Sequence, residues 1–229
     1  MKTAEYISHL LRNNIDVFSA IYRFNNEMLQ YMHQDFTPEA SLTVGLQPLF
    51  DSPKACGQAL AYVRKLLGIN NLGCYDFSET RYFLCLLSAE EIQRIICYVG
   101  GICFSERIRK IILARELLKL KQVMGNDAYQ FSLRSASIFI KENMAESFRA
   151  EGSNLLECVL NTGKLVIEMS LAGAPKEILE RFRLKFAKNF GWNFSHRAEN
   201  PQYYFEFIKK VARRAIPDSN HVAATIVKA

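Results

Sequence analysis

Apolar residues recur along this chain at intervals of three and four, the spacing of one helix face and not the alternation of a strand. Between Thr3 and Asn13 they are Tyr6, Ile7, Leu10 and Leu11. A second helical stretch follows, broken near Asn25 and Asn26 and ending at Tyr31-Met32-His33. From Gln34 to Pro53, Pro38, Pro48, Pro53 and Gly45 predict a long connection, packed on the surface through Phe36, Leu42, Leu46, Leu49 and Phe50. Lys54 to Leu67 reads as a helix stopped by a left-handed Gly68. Ser78 is placed to cap a short helix through Leu87, and Ser88-Ala-Glu-Glu91 has the spacing of a capping box.

Ser105 to Met124 reads as one helix with two apolar faces, Ile108, Ile111 and Leu118 on one and Leu113, Leu117, Leu120 and Met124 on the other. A helix apolar on two sides is expected to be packed on two sides, which predicts a central strut. Arg115 lies within the first face and is expected to snorkel or to find a carboxylate. Asp127 is a candidate cap for a further helix through about Lys141. Residues 154–171 admit two readings. Asn161-Thr-Gly163 could turn a small β-hairpin near 155–171, whereas Leu155, Leu156, Val159, Leu160, Val166 and Ile167 suit a helix, which is preferred.

Pro175 to Phe190 is amphipathic, with Ile178, Leu179, Phe182, Phe186 and Phe190 on one face. Asn200-Pro201 opens the last helix, whose stripe is Tyr204, Phe205, Ile208, Val211, Ala212, Ala215 and Ile216. Its other face carries Glu206, Lys209, Lys210 and Arg213, and Pro217 ends it. The pattern as a whole predicts an all-α fold, a single globular multi-helix domain over 1–217 with a flexible tail over 218–229.

Composition sharpens this picture. A chain of 229 residues, 49% hydrophobic and 23% charged, can bury its own core without a disulfide or metal staple. The longest uncharged apolar run, Ile95 to Phe104, is half of what a membrane-crossing helix needs, and Gly100-Gly101 within it suits a close helix crossing. Cys56, Cys85, Cys97, Cys103 and Cys158 sit inside apolar runs, without a Cys-x-x-Cys pair or a secretory leader. Reduced, buried thiols and a cytoplasmic setting are therefore expected.

The net charge of +6 is localised. Between Pro175 and Ile216 ten Lys or Arg face four Glu, and the remainder balances at 19 basic against 19 acidic. Such a block can be a solvated surface, a nucleic-acid footprint, an anionic-membrane patch or a docking face for an acidic partner. A nucleic-acid-binding helical regulator using the C-terminal helices is the rival function it suggests.

Candidate chemistry changes little. There is no phosphate-binding glycine loop, His-Glu-x-x-His or nucleophile elbow, so no catalytic, cofactor or metal residue is assigned. His33 with Asp35 reads as a structural hydrogen-bond pair in preference to an acid–base pair. Trp192, in Phe190-Gly-Trp-Asn-Phe194, serves as a core anchor or as a contact residue. Leu184 stands among charges opposite the apolar face of its helix and hints at a protein contact.

Three stretches carry a family likeness. Phe24-Asn-Asn-Glu-Met-Leu-Gln-Tyr31-Met-His33 is the first. Leu87 to Leu133 is the second, with Glu106-Arg-Ile-Arg-Lys-Ile-Ile and Tyr129-Gln-Phe-Ser-Leu133 inside it. Leu171-Ala-Gly-Ala-Pro-Lys-Glu-Ile-Leu-Glu-Arg-Phe-Arg-Leu-Lys185 is the third. In this order they resemble the type III secretion sorting-platform family SctK (YscK/OrgA/MxiK), departing from it where Gln34, not proline, follows His33. The resemblance implies a helical, non-enzymatic adaptor. It would sit at the cytoplasmic face of the inner membrane, between the cytoplasmic domain of the ring protein SctD and the pod protein SctQ, in a platform with SctL and the ATPase SctN. Contact surfaces are expected at Phe24, Asn25, Tyr31 and His33, at Leu184 and Trp192, and at Lys209, Lys210, Arg213 and Arg214.

Overall fold

The computed structural model describes residues 3–36, 52, 55–69, 73–139 and 154–216; the expectations for 37–51 and for the 218–229 tail lie outside them. Among the described residues the regular structure is entirely helical. It comprises α1 (Thr3–Asn13), α2 (Ile15–Asn26), α3 (Cys56–Leu66), α4 (Ala89–Cys103), α5 (Ser105–Arg109), α6 (Ala114–Met124), α7 (Asn126–Phe139), α8 (Leu155–Ser170), α9 (Lys176–Arg183) and α10 (Pro201–Ala215). Short 3-10 turns lie at Met28–Gln30, Gln34–Phe36, Thr80–Leu86 and Lys188–Phe190. The chain forms two compact units, one from 1–89 with 174–191 and the other from 90–173 with 192–229.

In the first unit α1 turns into α2 at Asn14, whose side chain accepts from the Val17 amide and so satisfies one unpaired donor of the helix start. Val17, Ile21 and Phe24 of α2, Val63 of α3, Phe77, and Ile178 and Phe182 of α9 are all buried. Tyr6 of α1 donates its hydroxyl to the Phe77 carbonyl at 2.8 Å, so a buried phenol keeps a partner. Ser78 does not cap the helix after it. Its amide donates to the Asp76 carboxylate, and the Thr80–Leu86 segment winds as a 3-10 helix with no side-chain cap.

The second unit is organised by a close crossing of α4 and α8. A Cβ added at Gly100 would lie 1.9 Å from the Val159 carbonyl oxygen, and one at Gly163 would lie 2.1 Å from that of Ile96. The two backbones therefore touch through reciprocal glycines, which only residues without a Cβ allow. Residues 155–170 are accordingly a helix and not a β-hairpin. Gly163 serves the crossing rather than a turn, and Asn154 caps the helix by accepting from the Glu157 amide. Phe205, Ile208, Val211 and Ala212 of α10 complete this core.

The expected strut over 105–124 is two helices. Lys110 ends α5, and Leu113 has extended backbone (φ −77°, ψ 115°) before α6 begins. On a straight helix Ile108 and Met124 would point in nearly opposite directions, yet both are buried, and the break turns both inward. The β-branched pair Ile111-Ile112 sits where helical geometry is least favoured. Ile112, Leu113 and Leu118 are left 95%, 61% and 66% exposed, and Arg115 faces solvent beside them, unlike the buried face expected. The helix from Pro175 also stops early, at Arg183. Lys185 and Phe186 tighten it with bonds to the Phe182 and Arg183 carbonyls.

Candidate partner-binding surfaces

In the first unit, residues far apart in sequence converge on one buried junction. Phe24 stacks on Tyr31 at 5.8 Å between centroids and meets the ring of Phe77 edge-on at 6.0 Å. The Tyr31 hydroxyl donates to the Phe24 carbonyl at 2.6 Å, and burial pushes its pKa well above the usual phenol value. Lys185, 5% exposed, brings its ammonium within 5.3 Å of the Phe24 centroid and 5.1 Å of the Tyr31 centroid. The same nitrogen donates to the carbonyls of Cys85, at 2.7 Å, and Leu87. Ring faces and carbonyl dipoles thus replace the water that a buried ammonium loses. Burial in turn drives the Cys85 thiol up to about 12, with nearby Lys185 opposing the shift.

The neighbouring polar residues hold the same junction. Asn25 donates through its amide to the Ile21 and Cys74 carbonyls at 2.9 and 2.8 Å, and its own carbonyl accepts from Arg64 at 2.8 Å. The His33 amide donates to the Leu184 carbonyl at 2.7 Å. His33 Nδ1 accepts from the Asp35 amide at 3.2 Å, and the Asp35 carboxylate accepts from the Lys188 amide at 3.0 Å. Nδ1 also lies 3.4 Å from the Asp35 carboxylate, so the pair closes the short turn at Gln34–Phe36. Arg181 is fully buried and donates to the Glu177 carbonyl one turn back; burial lowers its pKa.

The structure therefore places Phe24, Asn25 and Leu184 inside the first unit, with Tyr31 and His33 half-buried. Leu184 had been expected on a solvent face. Because α9 ends at Arg183, Leu184 swings into a cluster with Met28, Val63 and Ile69.

In the second unit Trp192 is half-buried and stacks on Phe194 at 5.6 Å, with the Lys164 ammonium 6.0 Å from its centroid. The segment that carries it is held by Glu168, a residue the sequence reading passed over. Its buried carboxylate accepts from the Asn193 amide at 2.6 Å and lies 3.5 Å from His196 and 3.8 Å from Lys164. The available signal was a lone acid inside Val166-Ile167-Glu168-Met169. On α10, capped by the Asn200 side chain, Lys210, Arg213 and Arg214 are exposed and Lys209 is half-buried. No group of His, Cys, Asp and Glu among the described residues could hold a metal ion, and no described helix is long and apolar enough to cross a membrane.

Helical units whose distant sequence motifs close an internal junction define an all-α protein that keeps its charged helix faces outward. The particular family follows from comparison. A family model described as YOP proteins translocation protein K (YscK) matches residues 20–219, and the chain belongs to that family of structural type III secretion components. Neither a curated protein nor a solved structure matches the chain.

Proposed function

We propose that this protein is a non-enzymatic adaptor of the type III secretion sorting platform. It joins the cytoplasmic domain of the ring protein SctD to the pod protein SctQ, in a platform with SctL and the ATPase SctN, at the cytoplasmic face of the inner membrane. The observation that carries the reading is the family match over residues 20–219. It is supported by the way conspicuous motif residues are used. Phe24, Tyr31, Leu184 and Lys185 hold the fold together, so contact falls to exposed faces, of which Lys210, Arg213 and Arg214 on α10 form the most basic C-terminal one.

The test is a crosslinking pull-down of the tagged chain from its own bacterium with the apparatus expressed. The expected result is recovery of a ring protein and a pod protein together; recovery of neither overturns the adaptor reading. Replacing Lys209, Lys210, Arg213 and Arg214 by Glu is expected to weaken one of the two partners at low salt, since complementary charge sets both association rate and register. If α10 serves a duplex nucleic acid instead, the chain shifts such a duplex with an affinity that falls steeply as salt rises.

A further inference from the structure

Residues 174–191 belong to the first unit, yet the sequence on either side of them, 90–173 and 192–229, belongs to the second. The chain thus leaves the second unit at Gly173 and re-enters it after Gly191. Both glycines are exposed and both have positive φ, +74° and +68°. A Cβ at Gly173 would meet nothing within 4 Å, so it is the backbone turn and not close packing that calls for glycine there. The segment has a permissive joint at each end.

Its hold on the first unit is partly apolar and partly polar. Ile178, Phe182, Leu184 and Phe186 are buried. So are two cations spaced one helical turn apart, Arg181 at 0% exposure and Lys185 at 5%. The Lys185 ammonium lies on the Cys85 and Leu87 carbonyls and beside the rings of Phe24 and Tyr31. The Leu184 carbonyl accepts from the His33 amide at 2.7 Å, and the Lys188 amide donates to the Asp35 carboxylate at 3.0 Å. These polar contacts are met in one register only. A slip of one residue would carry the ammonium off its carbonyls while still buried, which is costly, so the segment is either seated or released. Seating also strips both cations of hydration, and release restores it. An all-apolar segment of the same length would lose more by leaving.

We propose that residues 174–191 form a releasable clasp, which opens about Gly173 and Gly191 while the rest of the first unit stays folded, and so uncovers the rings of Phe24 and Tyr31. Terminal residues of an element that can absorb a change of φ and ψ are the usual pivots of such motions. Motif residues that are packed in the closed form thereby gain a second, accessible state. The proposal stands on the interior of the first unit and is independent of the adaptor reading.

The experiment is native-state hydrogen exchange of the full chain at neutral pH, read by mass spectrometry with fragmentation to single amides. The amides of 176–190 and that of His33, which donates into the segment, are expected to exchange at a common opening rate. That rate should exceed the rate for the buried part of α2 by at least about tenfold, because a local opening costs less than unfolding the unit. Asp35→Ala removes the acceptor at the far end of the clasp and should speed 176–190 and His33 together by at least about threefold, leaving α2 unchanged. Lys185→Met should do the same by at least about fivefold. Asp35 lies at the surface, so the first variant is expected to fold whatever the second does. The proposal is overturned if 176–190 exchanges only along with α2, if His33 follows a different rate from 176–190, or if Asp35→Ala changes neither.

Discussion

Replacing Gly163 by alanine gives the most direct test of the α4–α8 crossing. The added methyl carbon would begin 2.1 Å from the Ile96 carbonyl oxygen, 2.7 Å from its carbonyl carbon and 2.8 Å from its Cα. These are backbone atoms, which no rotamer change can move aside, so the helices must part by about 1 Å to restore van der Waals separation. Overpacking of this kind costs roughly 1–3 kcal/mol and occasionally more. Because the contacts are with backbone, the cost is taken at the upper end, about 3 kcal/mol, and alanine returns up to about 1 kcal/mol of helix propensity, leaving a net loss of about 2 kcal/mol. For a chain of this size that is a fall of about 4–8 °C in Tm. Gly100→Ala meets the Val159 carbonyl oxygen at 1.9 Å and should behave alike. Gly101→Ala meets the ends of two side chains, Ser132 Oγ and Met124 Cε, which can move, and should cost less. The double variant Gly100→Ala, Gly163→Ala should fall short of the sum, because helices already parted by one methyl admit the second more cheaply. Thermal and urea denaturation followed by circular dichroism give the comparison. A Gly163→Ala protein as stable as the parent, or additive losses in the double variant, would refute the reasoning.

Lys185→Met keeps the stem but strips the Cys85 and Leu87 carbonyls of a donor and the Phe24 and Tyr31 rings of a cation; a loss of about 2 kcal/mol is expected in urea titration, and an unchanged midpoint would argue against the junction. Phe24→Ala is expected to cost about 3–5 kcal/mol, as for a fully buried aromatic, so lost partner binding in that variant must be read beside its circular dichroism spectrum. Burial holds the thiols of Cys85 and Cys97 near 12 and 11, so native protein treated with iodoacetamide at about pH 8 should leave both unmodified until denaturant is added, while half-exposed Cys74 reacts first among these three. The Ser78 hydroxyl and amide hold the Asp76 carboxyl below its ordinary value of 3.8, so its stabilisation is present above that value and disappears as pH falls through the lower folded value. The urea-midpoint difference between Asp76→Asn and parent should therefore hold from about pH 6 to about pH 4 and shrink below that, and a difference that stays constant to the lowest pH at which the protein folds would count against the Asp76–Ser78 hydrogen bonds as its source.

Much of this fold was legible in the chain itself. Apolar spacing marked α1, α2, α3 and α10, and the punctuation by Gly68 and Asn200-Pro201 fell at real helix ends, since cap preferences are local and need no distant partner. The ordered motifs likewise pointed to the YscK family. Tertiary structure decided what local pattern leaves degenerate. Asn161-Thr-Gly163 suits a turn until the Ile96 backbone of α4 lies against it, and then glycine is the crossing residue of a helix. Residues 105–124 satisfy helical periodicity throughout, yet Ile108 and Met124 can both be buried only if the chain bends between them. Leu184 looked solvent-facing on an extended helix and is buried because α9 stops one residue before it. Lys185 and Glu168, for which the sequence pattern offered no placement, are buried, since carbonyls, rings and an amide from distant segments reach them. A periodic pattern fixes which face of an element is apolar; which partner meets it, and where a helix must bend to offer it, depends on contacts between residues far apart along the chain.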